Sequence, residues 1–300
     1  MQDWLADRTT VAGAAVSAAV VAALLLAVGA SRSGAASARD GAAALGEARQ
    51  ASLTVGVPAV TADRIYGRGR AAGRPIIVID AGHGGRDPGA TSVSGAVTEK
   101  QLTLALAEEL RDQLVNRGRV RVAMTREADR FLTLEERAGV ARRLGASLFV
   151  SLHTDSAPNP LARGATVYSL SDVASDAEAA RFAATENRGT STLGPASGSV
   201  SAMLADLAVR SEMNASADFA ARLVGKSEGR FELRPNPHRF AAFHVLRRAA
   251  TPAVLFEAGY ISNTDDEQLL RSPKHRTAIV LALAQAIEAD VATRSRALTR

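Results

Sequence analysis

The 300-residue chain contains no cysteine. That excludes a disulfide framework and any thiolate metal site, so a metal here must be held by nitrogen and oxygen. Aromatic residues make up only 4% of the chain, and no run of basic residues is interleaved with them. The stacking and charge pattern of a nucleic-acid binder is therefore missing, and no nucleic-acid partner is expected. No H-E-x-x-H pair occurs, which removes the commonest helical zinc-protease arrangement. No internal repeat is evident. Histidine is scarce too, with five in the whole chain.

What is present is a hydrophobic fraction of 47%, ample for a core but unevenly spread, and a net charge of +5. The positive balance favours anionic surfaces, and an anionic cell-wall polymer suits it. Residues 11–29 form an uncharged run of mostly Ala, Val and Leu, followed by small residues. Such a segment reads as a secretory signal or an uncleaved membrane anchor. Asp3 and Asp7 beside Arg8 leave the preceding stretch without the positive excess of a typical signal. Either reading exports the rest of the chain to the periplasm or the exterior, free or tethered to the inner membrane. The expected organisation is a signal or anchor over 1–30, a linker over 31–72, and one catalytic domain over 73–296. Nothing demands more than a monomer.

From Arg74 onward apolar runs and helical patterns alternate. Residues 76–80, 120–124, 148–152, 165–170, 243–246 and 253–257 read as strands, the first as an apolar run covered on both faces. Thr98 with Gln101, and Thr133 with Glu136, have the spacing of capping boxes that open helices reaching about Asn116 and Leu144. Leu102, Leu106, Leu110 and Leu114 fall on one face of the first helix, and Gly118 can end it. Further helices are expected over 176–188, 202–224, 265–270 and 273–293. The alternation predicts an α/β fold: a single domain with a twisted, mostly parallel or mixed sheet and helices on both faces. The stretch from about 171 to 237 is long for a crossover and reads as a helical insertion beside the site.

Chemistry concentrates where strands end. His83 follows the first apolar run inside Gly82-His83-Gly84-Gly85, where glycines allow a sharp turn. His153 closes Leu148-Phe149-Val150-Ser151-Leu152. One such histidine is usually incidental, but two at equivalent strand ends can converge at the sheet edge, where α/β folds place ligands. Glu99 opens a helix, where a carboxylate complements the dipole; it is also well placed as a third ligand, since two histidines and a glutamate are an established catalytic zinc set. Glu257 ends Ala253-Val254-Leu255-Phe256, and an acid at the end of an apolar strand is costly to bury without a purpose. Beside a zinc-bound water it could serve as acid and base.

Four ordered blocks carry a family resemblance: Asp80-Ala81-Gly82-His83-Gly84-Gly85-Arg86-Asp87-Pro88-Gly89-Ala90, Thr98-Glu99-Lys100, Ser151-Leu152-His153-Thr154-Asp155, and Leu255-Phe256-Glu257-Ala258-Gly259-Tyr260-Ile261-Ser262-Asn263. Together they resemble the zinc-dependent N-acetylmuramoyl-L-alanine amidases. The resemblance covers nearly all of residues 74–292. It implies one zinc ion held by His83, Glu99 and His153, with Glu257 as the catalytic acid/base. The implied reaction is hydrolysis of the amide joining N-acetylmuramic acid to L-alanine in peptidoglycan, in cell-wall remodelling and daughter-cell separation. The insertion resembles that of the division-associated Gram-negative members, in which a helix can cover the zinc until an activator protein displaces it. Glu186 is the candidate acid for plugging the metal site. Two features depart from the family pattern: the residues after Gly29 are too few for a wall-binding domain, and Thr154-Asp155-Ser156 replaces a commoner Ala-Asp/Asn-Ala. Alternatives are a zinc peptidase of stem peptides and a non-catalytic peptidoglycan-binding scaffold on an amidase fold. Retention of Glu257 weighs against the scaffold.

Overall fold

A computed structural model describes residues 63–67, 69, 71–188 and 200–298. The expected signal or anchor and most of the expected linker lie outside the described residues. Among the described residues seven strands run β1 (Ile65–Tyr66), β2 (Ile76–Ala81), β3 (Arg121–Met124), β4 (Leu148–Asp155), β5 (Ala165–Leu170), β6 (Leu233–Ala241) and β7 (Ala253–Tyr260). The described helices are α1 (Glu99–Arg117), α2 (Leu134–Leu144), α3 (Ala177–Glu186), α4 (Val200–Ser227), α5 (His244–Arg248), α6 (Thr264–Arg271) and α7 (Pro273–Leu298).

The strands form one mixed sheet in the order β1-β3-β2-β4-β7-β5-β6. Strands β3, β2, β4 and β7 are mutually parallel, β1 is antiparallel to β3, and β5 meets β7 antiparallel while pairing in parallel with β6. Alternation along β2 divides the core. Ile77 and Ile79 join Leu106 and Leu110 of α1, Phe219 of α4 and Leu283 of α7. Ile76 and Val78 face the opposite layer, with Val140 of α2, Ala183 of α3 and Val245 of α5. An apolar run without polar alternation thus becomes a strand covered on both sides.

Local signals set the element ends. The expected stripe of Leu102, Leu106, Leu110 and Leu114 is buried along α1, and each such leucine contributes roughly 1.5–3 kcal/mol. Gly118 (φ 66°) and Gly145 (φ 54°) close α1 and α2 in the left-handed region, which glycine enters without a Cβ clash. At the start of α2, Glu136 N donates to Thr133 Oγ1 at 3.2 Å, and Thr133 N donates back to Glu136 Oε2 at 2.7 Å.

The structure departs from the sequence reading in four places. Strand β1 lies inside the stretch read as linker, because two residues are too short to show a period. The run 243–246, read as a strand, is the N-cap Phe243 followed by helix α5; four apolar-leaning residues fit either period. Strand β6 was not anticipated, since Pro235 and Pro237 argue against a strand. They are tolerated because β6 is an edge strand and bulges there, so that Leu233 pairs with Ala165 but His238 with Val167. Finally, the 171–237 stretch, read as a helical insertion, contains part of the main core. Helix α4 buries Phe219, Ala220 and Leu223 in the main core and connects the parallel pair β5 and β6.

Candidate metal centre

The parallel strands β2, β4 and β7 deliver their C-terminal ends to one place. His83 follows β2, His153 sits near the end of β4, and Glu257 lies opposite His153 in the β4–β7 register. The His83 and His153 rings stand edge to face with centroids 5.0 Å apart. Glu99, at the first turn of α1, lies between them: Oε2 is 3.1 Å from His83 Nε2 and Oε1 is 3.1 Å from His153 Nδ1. Backbone amides steady that carboxylate, with Ala90 N donating to Oε2 and Thr154 N to Oε1, both at 3.0 Å. The three expected ligands therefore meet.

The turn after β2 is unusual at His83 itself, whose φ is 58°. A non-glycine residue in the left-handed region costs about 1–2 kcal/mol and needs its surroundings to hold it. Two buried arginines do so. Arg137 donates to Ala81 O and His83 O, both at 2.6 Å, and pairs with Asp80 Oδ1 at 2.8 Å. Arg126 donates to Ala81 O and Gly82 O, each at 2.9 Å. Gly82 is required for another reason, since a Cβ there would come within 2.6 Å of His153 Nε2. A Cβ on Gly89 would lie 2.5 Å from Glu99 Oε2.

Protonation follows from these contacts. His83 Nδ1 donates to Asp87 Oδ2 at 2.9 Å, which orients the ring and turns Nε2 toward the cluster. His83 Nε2 is buried without a hydrogen-bond partner. Burial alone would lower the His83 pKa, but the Glu99 charge and the Asp87 bond outweigh it and push it up to about 11. Burial opposes ionisation of Glu99 as well, yet the two histidines hold its pKa below the usual carboxylate range. The cluster thus favours positive charge at its centre. An orphaned imidazole nitrogen, a second imidazole and a buried carboxylate fit zinc's preference for nitrogen and oxygen donors.

Glu186, at the last turn of α3, enters the same cluster. Its Oε2 lies 3.7 Å from His153 Nδ1 and 4.0 Å from His83 Nε2. With the two histidines it forms a set whose ligand atoms lie within 4.8 Å of one another. Burial raises its pKa despite both rings. Glu257 is fully buried, and both of its oxygens lack a hydrogen-bond partner. Burial, reinforced by the Asp155, Glu99 and Glu186 charges, drives its pKa well above the ordinary value. Burial also raises Asp155, to about 7.

The cluster opens into a cleft of about 1170 Å³, whose lining includes Arg86 and Phe131 and also Glu178, Arg181 and Glu186 of α3. The sequence reading missed Asp80, Asp87, Arg126, Arg137 and the cleft residue Arg234. Asp87 stood inside a quoted block, and its spacing of four from His83 was the available signal.

The sequence profile described as N-acetylmuramoyl-L-alanine amidase matches residues 77–289. The chain belongs to this amidase family. Among its relatives, N-acetylmuramoyl-L-alanine amidase AmiA of Escherichia coli (strain K12) is 33% identical over 223 residues, 73% of this chain and 76% of that protein. AmiC of Neisseria meningitidis is 35% identical over 232 residues, 76% of this chain but only 55% of its own length. The catalytic domain of the amidase CwlV from Bacillus (Paenibacillus) polymyxa var. colistinus superposes with a TM-score of 0.52 at 28% identity, covering 71% of this chain and 96% of that domain. Amidase AmiC2 of Nostoc punctiforme gives 0.52 at 25% identity, with 76% and 99% covered. The mixed sheet with helices on both faces is the fold shared by these amidase domains.

Proposed function

We propose that the chain hydrolyses the amide between the lactyl group of N-acetylmuramic acid and L-alanine in peptidoglycan, using one zinc ion held by His83, Glu99 and His153. The observation that carries this reading is the convergence of those three side chains beside a fully buried, partnerless Glu257, in a chain of the amidase family. Bound there, zinc supplies Lewis acidity to the scissile carbonyl and lowers the pKa of water toward about 7. Glu257 takes a proton from the attacking water as its oxygen bonds to the carbonyl carbon. It then returns that proton to the nitrogen as the C–N bond breaks, leaving a lactyl carboxylate and a free L-alanine amine. A nearby cation lowers the raised pKa of Glu257 toward the working range. Asp87 and the Arg137 clasp keep His83 oriented throughout.

Covering of the site by α3 is part of the reading. Glu186 reaches within 4.0 Å of both histidine nitrogens and so competes with substrate for the centre. An activator protein that withdraws α3 would open it. Export, to the periplasm or exterior with or without a membrane tether through residues 11–29, suits a peptidoglycan substrate and a role in daughter-cell separation.

Purified sacculi test the reading directly. The zinc-loaded chain and its Glu186→Ala variant are incubated with them and the released products are weighed by mass spectrometry. Intact stem peptides bearing a free L-alanine amine are expected. Shortened stems would point to a peptidase instead, and tight pelleting without release to a scaffold. In the Glu186→Ala background, Glu257→Ala should reduce turnover by at least about 10²-fold while keeping its zinc. Turnover persisting near the parent rate would remove Glu257 from the acid/base role.

A further inference from the structure

Arg234 lines the cleft yet takes no part in the metal centre. It stands in the bulge of β6, between the Leu233–Ala165 and His238–Val167 pairs, with Asn236 at φ 55° turning the loop. Its side chain is only 16% exposed. The guanidinium carbon lies 4.9 Å from the centroid of the Tyr260 ring, and Nη1 is hydrogen-bonded to Tyr260 Oη. Tyr260 belongs to β7, the strand of Glu257, and pairs with Asp155 just beyond His153. The guanidinium is thus held in place at the lining of the cleft that contains the candidate metal centre.

What it grips is Glu178. Nη1 and Nη2 donate to the two oxygens of that carboxylate at 2.8 and 3.1 Å, the two-pronged geometry in which arginine recognises carboxylates best. Arg239 Nη1 adds a third bond at 3.0 Å. Glu178 sits in the first turn of α3, the helix that carries Glu186 at its other end. One helix therefore places one carboxylate at the metal centre and another on Arg234. If α3 leaves, Arg234 loses Glu178 but keeps Tyr260. The result is an oriented, uncovered guanidinium facing the substrate cleft, and a buried or half-buried charge of this kind is stabilised by a new anionic partner.

We propose that Arg234, steadied by Tyr260, binds a carboxylate of the peptide leaving group, and that Glu178 occupies this place while α3 covers the site. The proposal rests on the amidase reading and deepens it: α3 blocks the peptide subsite as well as the metal. Arg234 is then a determinant of substrate specificity and Glu178 its internal competitor.

A competitor and a receptor must respond to mutation with opposite signs, whereas two halves of a merely structural clasp respond alike. The probe is a synthetic peptide of L-alanine followed by an acidic residue with free carboxylates, compared with its fully amidated counterpart. Each is titrated calorimetrically into the zinc-loaded full chain. Glu178→Gln should tighten binding of the acidic peptide about tenfold and Arg234→Ala should weaken it about tenfold or more, with Arg234→Lys between. The amidated peptide should be indifferent to all three. Shifts of the same sign in Glu178→Gln and Arg234→Ala, or equal effects on both peptides, would overturn the proposal. Glu178→Gln leaves every arginine in place, so the test survives an Arg234 variant that fails to fold. Release of stem peptides from sacculi by Glu186→Ala separates the two claims. Release without the opposite signs defeats the Arg234 assignment alone, and absence of release defeats the amidase reading and this proposal with it.

Discussion

At the scale of single residues, the site is built on polar groups removed from water, and apart from the partnerless Glu257 the deepest of them are answered by specific partners. Asp80 is one of these. It lies 1% exposed under the β2–β4 seam and accepts from Thr125 Oγ1 at 2.6 Å, Ser151 Oγ at 2.7 Å and Arg137 Nη1 at 2.8 Å. Burial works against its ionisation, but the Arg137 charge and the two hydroxyls prevail and hold its pKa below the usual value. Removing one member of a buried pair strands the other, at a cost of about 3–5 kcal/mol. Asp80→Asn should therefore lose stability on that order, although the proposed metal ligands are untouched. The pH dependence has a definite sign. A depressed folded pKa stabilises above the unfolded value of about 3.9, and the benefit disappears as pH falls through the folded value. Denaturant titrations of parent and variant should differ most near neutral pH and converge under strong acid. An equal gap at both extremes would show that ionisation of Asp80 is not what stabilises the turn.

At the scale of elements, α3 is the piece whose position decides what the cleft can do. Its N-terminus is capped by Asp176, which accepts from Glu178 N and Ala179 N, both at 2.9 Å. Its middle packs Phe182 against Tyr168 and Phe243, and Asn187 Nδ2 ties its end to Ala242 O at 2.7 Å. Glu186, at its last residue, brings a carboxylate oxygen to 3.7 Å from His153 Nδ1 and 4.0 Å from His83 Nε2, in the way of substrate. Glu186→Ala should therefore raise basal hydrolysis of sacculi, by about tenfold if Glu186 holds the closed state by 1.4 kcal/mol. Unchanged or lower turnover in a folded variant would count against autoinhibition. A point variant is the right instrument here because α4, next along the chain, is core.

The same scale explains what the sequence could disclose. His83, Glu99, His153 and Glu257 were legible because each sits where an apolar run stops or a capped helix starts, a boundary visible in one dimension. Glu186 was legible only through family resemblance. Arg137 and Arg126 were not legible: their partners lie 54–57 and 44–45 residues away along the chain, and nothing local marks them. Strand β6 and Arg234 were hidden together, because the prolines that disguise the strand also make the bulge. The switch of 243–246 from strand to helix reflects a run too short to carry a period.

At the scale of the whole molecule, the proposed zinc site would couple metal binding to folding. The proposed ligands come from the end of β2, the start of α1 and β4, so they are brought together only when the sheet and its helical layer are assembled. The folded cluster concentrates carboxylates around His83, whose pKa of about 11 reports how strongly it favours positive charge there. An ion that binds the folded chain and not the unfolded one adds stability of RT ln(1 + [L]/Kd), about 2.7 kcal/mol at a hundredfold excess over Kd. For a domain of this size that corresponds to a rise in Tm of roughly 5–11 °C. Chelation should therefore lower the melting temperature by several degrees, and zinc added back should restore it in proportion to the logarithm of its free concentration. His153→Ala should melt at the same temperature with and without chelator, because the response requires the complete ligand set. Glu257→Ala should respond to zinc as the parent does, since its side chain acts on the proton and not on the ion. If His153→Ala keeps the full zinc response, the ion that stabilises the fold lies elsewhere. If Glu257→Ala loses it, the division between ligands and acid/base has been drawn in the wrong place.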